Sequence, residues 1–134
     1  PSTLSPALVS RPDGSLRLVL GTMGGDGQPQ VVLQMLADLL HGGAAPGPAL
    51  SSPRFTLTVP EAQGFDTWDR ADELVVAVES GSGWGAGLRS RGHRVEERPW
   101  GHGLFGHAHL IDVTDQTLAG VAEPRALTAA AVGH

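Results

Sequence analysis

The segment Gly21-Thr22-Met23-Gly24-Gly25-Asp26-Gly27 places four glycines between an apolar run and a helical pattern. Such a segment can turn several backbone N–H groups toward one point, because Gly24 and Gly25 carry no Cβ to hold a ligand away and tolerate positive φ. The N-terminus of the helix that follows adds partial positive charge. The chemistry this suits is stabilisation of an anion, or of an oxyanion that develops during acyl transfer. The same glycines also suit a plain tight turn from strand to helix. The spacing is neither the dinucleotide fingerprint nor a phosphate loop, since no Gly-Lys-Ser/Thr follows.

Two other groups of residues could do chemistry. Pro1-Ser2-Thr3-Leu4-Ser5-Pro6 sets three hydroxyls between two prolines, so Ser2 and Thr3 could donate to a carboxylate or could simply be solvated. Histidines gather at His102, His107 and His109, and in a strand His107 and His109 share one face, as metal ligands would. No third ligand is fixed by spacing, and neither a metal nor a cofactor is expected. Asp112, Asp115 and Glu123 read as strand-end and turn residues, and the dispersed Trp68, Trp84 and Trp100 as packing residues. Nothing in the chain has the Gly-x-Ser-x-Gly elbow or another nucleophile signature. The residues thus offer an oxyanion cradle with nothing to attack.

Composition narrows the class. The chain has 134 residues and a net charge of -5, all nine basic residues are arginine, and they form no cluster, which argues against a nucleic-acid surface. Without cysteine there is no thiolate nucleophile and no disulfide framework. The longest apolar-rich stretch, Val31 to Leu40, is interrupted by Gln34 and Asp38 and is too short to cross a bilayer. The chain reads as a soluble single domain spanning 1–134, with bacterial cytoplasm and periplasm both open.

The elements that must hold the glycine segment are legible. Ala7 to Ser10 and Leu16 to Thr22 flank Pro12-Asp13-Gly14, which predicts a β-hairpin, its arms apolar enough to be covered on both faces. Val32, Met35, Leu36, Leu39 and Leu40 form a helical stripe over Gln30 to His41, with Pro29 in the first turn and Gly42-Gly43 as its stop. A short helical turn before Ser51, strands at Phe55 to Val59 and Leu74 to Val78, a helix at Trp84 to Arg91 and an edge strand at Arg94 to Arg98 follow. Gly106 to Val113 and Leu118 to Ala122 form a second hairpin. The expected class is α+β, helices packed on a mostly antiparallel sheet.

Three segments, in order, resemble the small subunit of γ-glutamyltransferases. Ser2-Thr3-Leu4-Ser5-Pro6 is similar to the family's Ser-Ser-Met-Ser-Pro. Gly21-Thr22-Met23-Gly24-Gly25, a helix containing Gln34-Met35-Leu36, and Ser52-Pro53-Arg54-Phe55 resemble its Gly-x-x-Gly-Gly, helix and Ala-Pro-Arg-Phe. Gly106-His107-Ala108 with Gly120-Val121-Ala122-Glu123-Pro124-Arg125 resembles its closing strand and Gly-Ala-x-Asp-Pro-Arg. Thr3, Leu4, Ser52 and Glu123 depart from the pattern, and Gly24 to Gln30 resembles the γ-glutamyltransferase-like branch more than the glutathione-degrading enzymes.

The resemblance implies a C-terminal part of an N-terminal-nucleophile hydrolase, an αββα sandwich assembled from two subunits that self-cleavage produces, whose threonine nucleophile lies upstream of Pro1. By position it makes Gly24 and Gly25 the oxyanion-hole amides, and Ser2 and Thr3 the groups that hold the donor's α-carboxylate. It implies a γ-glutamyl small-molecule donor and the remaining part of the same enzyme as partners, and no activity from this chain alone. A non-catalytic anion- or ligand-binding module is the alternative, and exposed sheet edges predict self-association of the chain.

Overall fold

Apolar runs separated by Pro-Asp-Gly form the first hairpin, β1 (Ser5–Ser10) and β2 (Leu16–Met23), in which Ser5 pairs with Thr22 and Ala7 with Leu20. The structure, a computed structural model, describes residues 4–62, 65–114 and 117–133. Ser2, Thr3 and Asp115 lie outside the described residues. Strand β6 (His107–Val113) pairs antiparallel with β2, and β7 (Leu118–Val121) pairs with β6, so the two hairpins fuse into one four-stranded sheet of order β1-β2-β6-β7.

One face of this sheet is covered by α1 (Gln28–Leu40) and α2 (Pro46–Ser51). Leu18, Leu20, Ala108 and Leu110 from the strands meet Val31, Met35, Leu39, Ala49 and Leu50 from the helices in a single core. The buried stripe of α1 runs through Val31, Met35 and Leu39, whereas Leu40, expected in the stripe, is 42% exposed. A helical face turns about 100° per residue, so a stripe through Val31, Met35 and Leu39 leaves Leu40 about 140° from its centre, on the far side of the helix. The helix stops as expected: the His41 and Gly42 amides donate to the Ala37 carbonyl, and Gly43 takes φ +64°.

The opposite face of the sheet departs from the expectation that it is covered. Leu8 is 71% exposed, Leu118 73% and Ile111 41% within this chain. Strand alternation puts these residues outward while their neighbours enter the core.

A second, three-stranded sheet contains β3 (Phe55–Thr58), β4 (Val75–Glu79) and β5 (Val95–Arg98) in that order. Its β3–β4 pair is antiparallel, but β5 runs parallel to β4, joined to it through α3 (Gly85–Ser90), so the protein is not two hairpins alone. The free edge of β3 is closed by α1. Gln30 donates to the Leu57 carbonyl at 3.1 Å and accepts the Leu57 amide at 2.7 Å, and Gln34 serves Phe55 in the same way at 2.8 and 3.0 Å. One turn of helix separates the two carboxamides, matching the spacing of alternate residues on a strand, so the edge has few backbone groups left for an intruding chain. Among the described residues, no helix is long and apolar enough to cross a membrane.

Candidate functional site

Strand β2 ends at Met23, and the chain then bends sharply. Gly24 takes φ 138°, ψ 30° and Gly25 φ 56°, both in the region open to glycine. Gly25–Gly27 make a single 3-10 turn, in which the Gly27 amide donates to the Gly24 carbonyl at 3.0 Å, and α1 follows directly. Among the described residues, the Gly24 and Gly25 amides donate to no acceptor outside the strand and helix ladders. Gly24 and Gly25 are thus two successive residues at positive φ.

The glycines are also required by packing, as a tight strand-to-helix turn demands. A Cβ on Gly24 would sit 3.0 Å from the Gly106 Cα, and one on Gly27 would sit 3.0 Å from the Leu104 carbonyl oxygen. Gly106, at φ +65°, closes the arrangement from the other side: a Cβ there would drive into the Met23 carbonyl oxygen and lie 2.7 Å from Thr22 Oγ1. Thr22 Oγ1 donates to the carbonyls of Met23 and His107 at 2.7 and 3.2 Å. Asp26, in the same turn, accepts the Thr67 amide on its Oδ2 at 2.9 Å.

Behind this turn lies a cluster the sequence reading did not assemble. Arg54, Glu79, Glu123 and Arg125 are all less than a tenth exposed and bond to one another. Arg125 binds Glu79 with Nε at 2.7 Å and Nη2 at 2.6 Å, and Glu123 with Nη1 at 2.9 Å. Arg54 Nη1 meets Glu123 at 2.9 Å. Backbone groups satisfy the rest: Arg54 donates to the Phe105 carbonyl at 2.8 Å and the Leu50 carbonyl at 3.1 Å, and Arg125 to those of Leu50 and Ser52, each at 2.8 Å. Glu79 accepts the amides of Arg54 and Gly101, and Glu123 those of Ala108 and Arg125.

Burial by itself would push both carboxyls up, but the arginines and these amides outweigh it and hold Glu79 and Glu123 below the usual carboxylate range. Burial pulls the Arg54 guanidinium down, against the opposing pull of Glu123. Arg125, which burial would also lower, is raised by its bonds to the two glutamates. Glu123 is therefore an interior charge rather than a turn residue. The available signal was the recurrence of Pro-Arg at Pro53-Arg54 and Pro124-Arg125, with Glu79 closing the otherwise apolar Val75 to Val78.

Other candidates are scattered. His107 is half-buried and His109 exposed on the outer face of the sheet, and among the described residues no group of three His, Asp or Glu could hold a metal ion. The tryptophans are less buried than expected: Trp68 is 54% exposed, Trp84 sits edge-on to Phe55 at 6.1 Å, and Trp100 lies under the Arg125 guanidinium at 5.1 Å.

Comparison with known proteins assigns the chain to a family. The family model described as gamma-glutamyltranspeptidase matches residues 1–133. The chain is 32% identical to the glutathione hydrolase-like YwrD proenzyme of Bacillus subtilis over 98% of its own length and 24% of that protein's. It is also 32% identical to the oxamate amidohydrolase proenzyme of Klebsiella pneumoniae, over 96% of its own length and 23% of the relative's. The fold superposes on gamma-glutamyltranspeptidase from Pseudomonas nitroreducens with a TM-score of 0.75 at 21% identity, over 99% of this chain and 63% of that one. The chain thus spans about a quarter of the length of its curated relatives. With the family model matched from end to end and the αβ architecture shared, this chain belongs to the gamma-glutamyltranspeptidase family, whose fold is that of the N-terminal-nucleophile hydrolases.

Proposed function

We propose that the complete protein cleaves γ-glutamyl amides with a threonine nucleophile supplied from outside this chain, and that Gly24 and Gly25 provide its oxyanion hole. The observation that carries this reading is the pair of adjacent left-handed glycines at the end of β2, whose amides donate to nothing outside the ladders among the described residues. In the proposed step the threonine hydroxyl attacks the amide carbon, its proton passes to the nucleophile's own α-amine, and the carbonyl oxygen gains negative charge against the two N–H groups. Collapse expels the amine, which takes up that proton. Water or a second amine then attacks the acyl-enzyme, giving hydrolysis or transfer.

Ser2 and Thr3 are assigned to the donor's α-carboxylate. Ser5 pairs with Thr22, so the start of β1 and the end of β2 lie at the same end of the sheet. In the complete protein, replacing both Ser2 and Thr3 by alanine should raise KM for a chromogenic γ-glutamyl anilide by about ten- to a hundredfold, since a hydrogen bond to a charged group contributes about 1.5–3 kcal/mol. Turnover should change far less. Unchanged steady-state kinetics would remove Ser2 and Thr3 from the donor site.

A smaller amide substrate is the second reading, favoured by equal identity to the oxamate amidohydrolase and by Thr3 standing where the family's second serine is expected. Turnover of oxamate without turnover of any γ-glutamyl amide would select it. An anion-binding module without catalysis would instead bind the donor in this chain alone.

The bare outer face of the β1-β2-β6-β7 sheet is where we place the remaining part of the enzyme. Leu8, Ile111 and Leu118 are exposed there in this chain. The isolated chain is accordingly expected to self-associate through that face and the sheet edges. Sedimentation velocity across a concentration series checks it, and a strictly monomeric species at the highest concentration sinks the idea.

A further inference from the structure

The glycine turn rests on residues 104–108 rather than on itself. The Cβ position of Gly24 lies 3.0 Å from the Gly106 Cα, that of Gly27 lies 3.0 Å from the Leu104 carbonyl oxygen, and Thr22 Oγ1 donates to the His107 carbonyl at 3.2 Å. Wherever residues 104–108 go, the turn must follow, because the backbones are already at contact distance.

That supporting segment is gripped by one buried ion pair. Arg54 Nη1 donates to the Phe105 carbonyl at 2.8 Å, Glu123 Oε2 accepts the Ala108 amide at 2.8 Å, and the two side chains meet at 2.9 Å. Arg125 braces the pair by bonding Glu123 at 2.9 Å, while its other bonds run to the carbonyls of Leu50 and Ser52 and to Glu79. A buried ion pair is weak evidence of net stability, since apolar residues of the same volume often serve as well. What apolar residues cannot do is fix one chosen carbonyl and one chosen amide in register, with charge-assisted bonds that a low-dielectric interior strengthens.

We propose that Arg54 and Glu123 are positioning residues for the reaction, setting through Phe105–Ala108 where the Gly24 and Gly25 amides point. This rests on the reading of the glycine turn as an oxyanion hole. An oxyanion hole acts on charge that exists only after attack, so its misplacement lowers turnover and leaves donor binding alone.

Glu123→Gln keeps the shape and an acceptor for Ala108 but removes the charge. Arg54→Lys keeps the charge but loses the planar fork that reaches Phe105, Leu50 and Glu123 together. In the complete enzyme, with kcat taken per mole of self-cleaved protein, each variant should lose about ten- to a hundredfold in kcat on a γ-glutamyl anilide with KM within about twofold. Exchange of the Gly27 amide, held by the Gly24 carbonyl, should quicken by about tenfold relative to amides in the middle of α1, a local loosening that global destabilisation does not imitate. Retained kcat in both variants overturns the proposal, as does a loss of activity with the Gly27 amide and the α1 amides quickened alike. If the wild-type enzyme turns over no γ-glutamyl amide, the functional reading fails by itself, and the Gly27 exchange still decides whether the pair positions the turn.

Discussion

Arg125→Met is expected to lower the unfolding free energy by about 3–5 kcal/mol, because it leaves the buried Glu79 carboxylate without its cation, whereas Glu123 keeps Arg54. Arg125 supplies the side-chain donors to Glu79 Oε1 and Oε2 and one to Glu123, and its removal also takes a donor from the Ser52 carbonyl and one of the two arginine donors from the Leu50 carbonyl. Methionine matches the volume but offers no donor, so the loss is electrostatic rather than a cavity. The double variant Arg125→Met/Glu79→Met should be less destabilised than the sum of its parts, since the two residues share one network. A urea midpoint for Arg125→Met equal to that of the wild type would show that the cluster carries no stability.

The pH dependence follows from the same groups. Glu79 and Glu123 have folded-state pKa values below the ordinary 4.5, so their contribution to stability is complete above about that pH and is lost as pH falls through the folded values. The wild-type protein should therefore hold its urea midpoint down to about pH 5 and lose it steeply below. In Arg125→Met the sign reverses for a carboxyl buried without a cation, which prefers the protonated form, so the gap between variant and wild type should narrow in acid. A gap that stays constant from pH 7 to 4 would mean that these carboxylates do not titrate with the fold.

Gly106→Ala is expected to have the larger effect on function. Its φ of +65° with ψ 171° is a conformation almost confined to glycine and costs another residue about 1–3 kcal/mol, and the new methyl group must push against the Met23 carbonyl and Thr22 Oγ1. Neither obstacle is the mobile end of a long side chain, so β2 must shift against β6 at the point where the glycine turn begins. A displacement of about 1 Å in a reacting geometry costs about a hundredfold in rate, and kcat of the complete enzyme is expected to fall by that order. Gly14→Ala is the contrast: it also has positive φ, at +86°, but meets nothing within 4 Å, and it should cost stability alone. Equal kcat values for these two variants would remove Gly106 from the support of the site.

Much of this architecture was legible because its signals are local. Pro12-Asp13-Gly14 can only turn, Pro29 and Gly42-Gly43 bracket a helix, and Val-Val-Ala-Val reads as a covered strand; each depends on φ preferences or periodicity within a few residues. Among the described residues, the β1–β2 hairpin, α1 and β4 stand where those signals are. The glycine segment was legible as a sharp turn for the same reason, since positive φ is a property of single residues. Partnership was not legible. That β5 lies parallel to β4, and that α1 closes the edge of β3 through Gln30 and Gln34, are matters of which surfaces meet.

The sequence by itself determined the family, through motifs at residues 2–6, 21–25, 52–55 and 120–125, and it determined the α+β class and the place of the turn in the chain. Only the tertiary structure decided that Arg54, Glu79, Glu123 and Arg125, spread over 72 positions, share one buried site, and that Gly106 stands against Gly24. The physical reason is that a charge in a sequence carries no mark of its burial. A glutamate is solvated on one surface and held below its usual pKa in another place according to what folding brings within 3 Å of it, and that distance is set by residues remote in the chain.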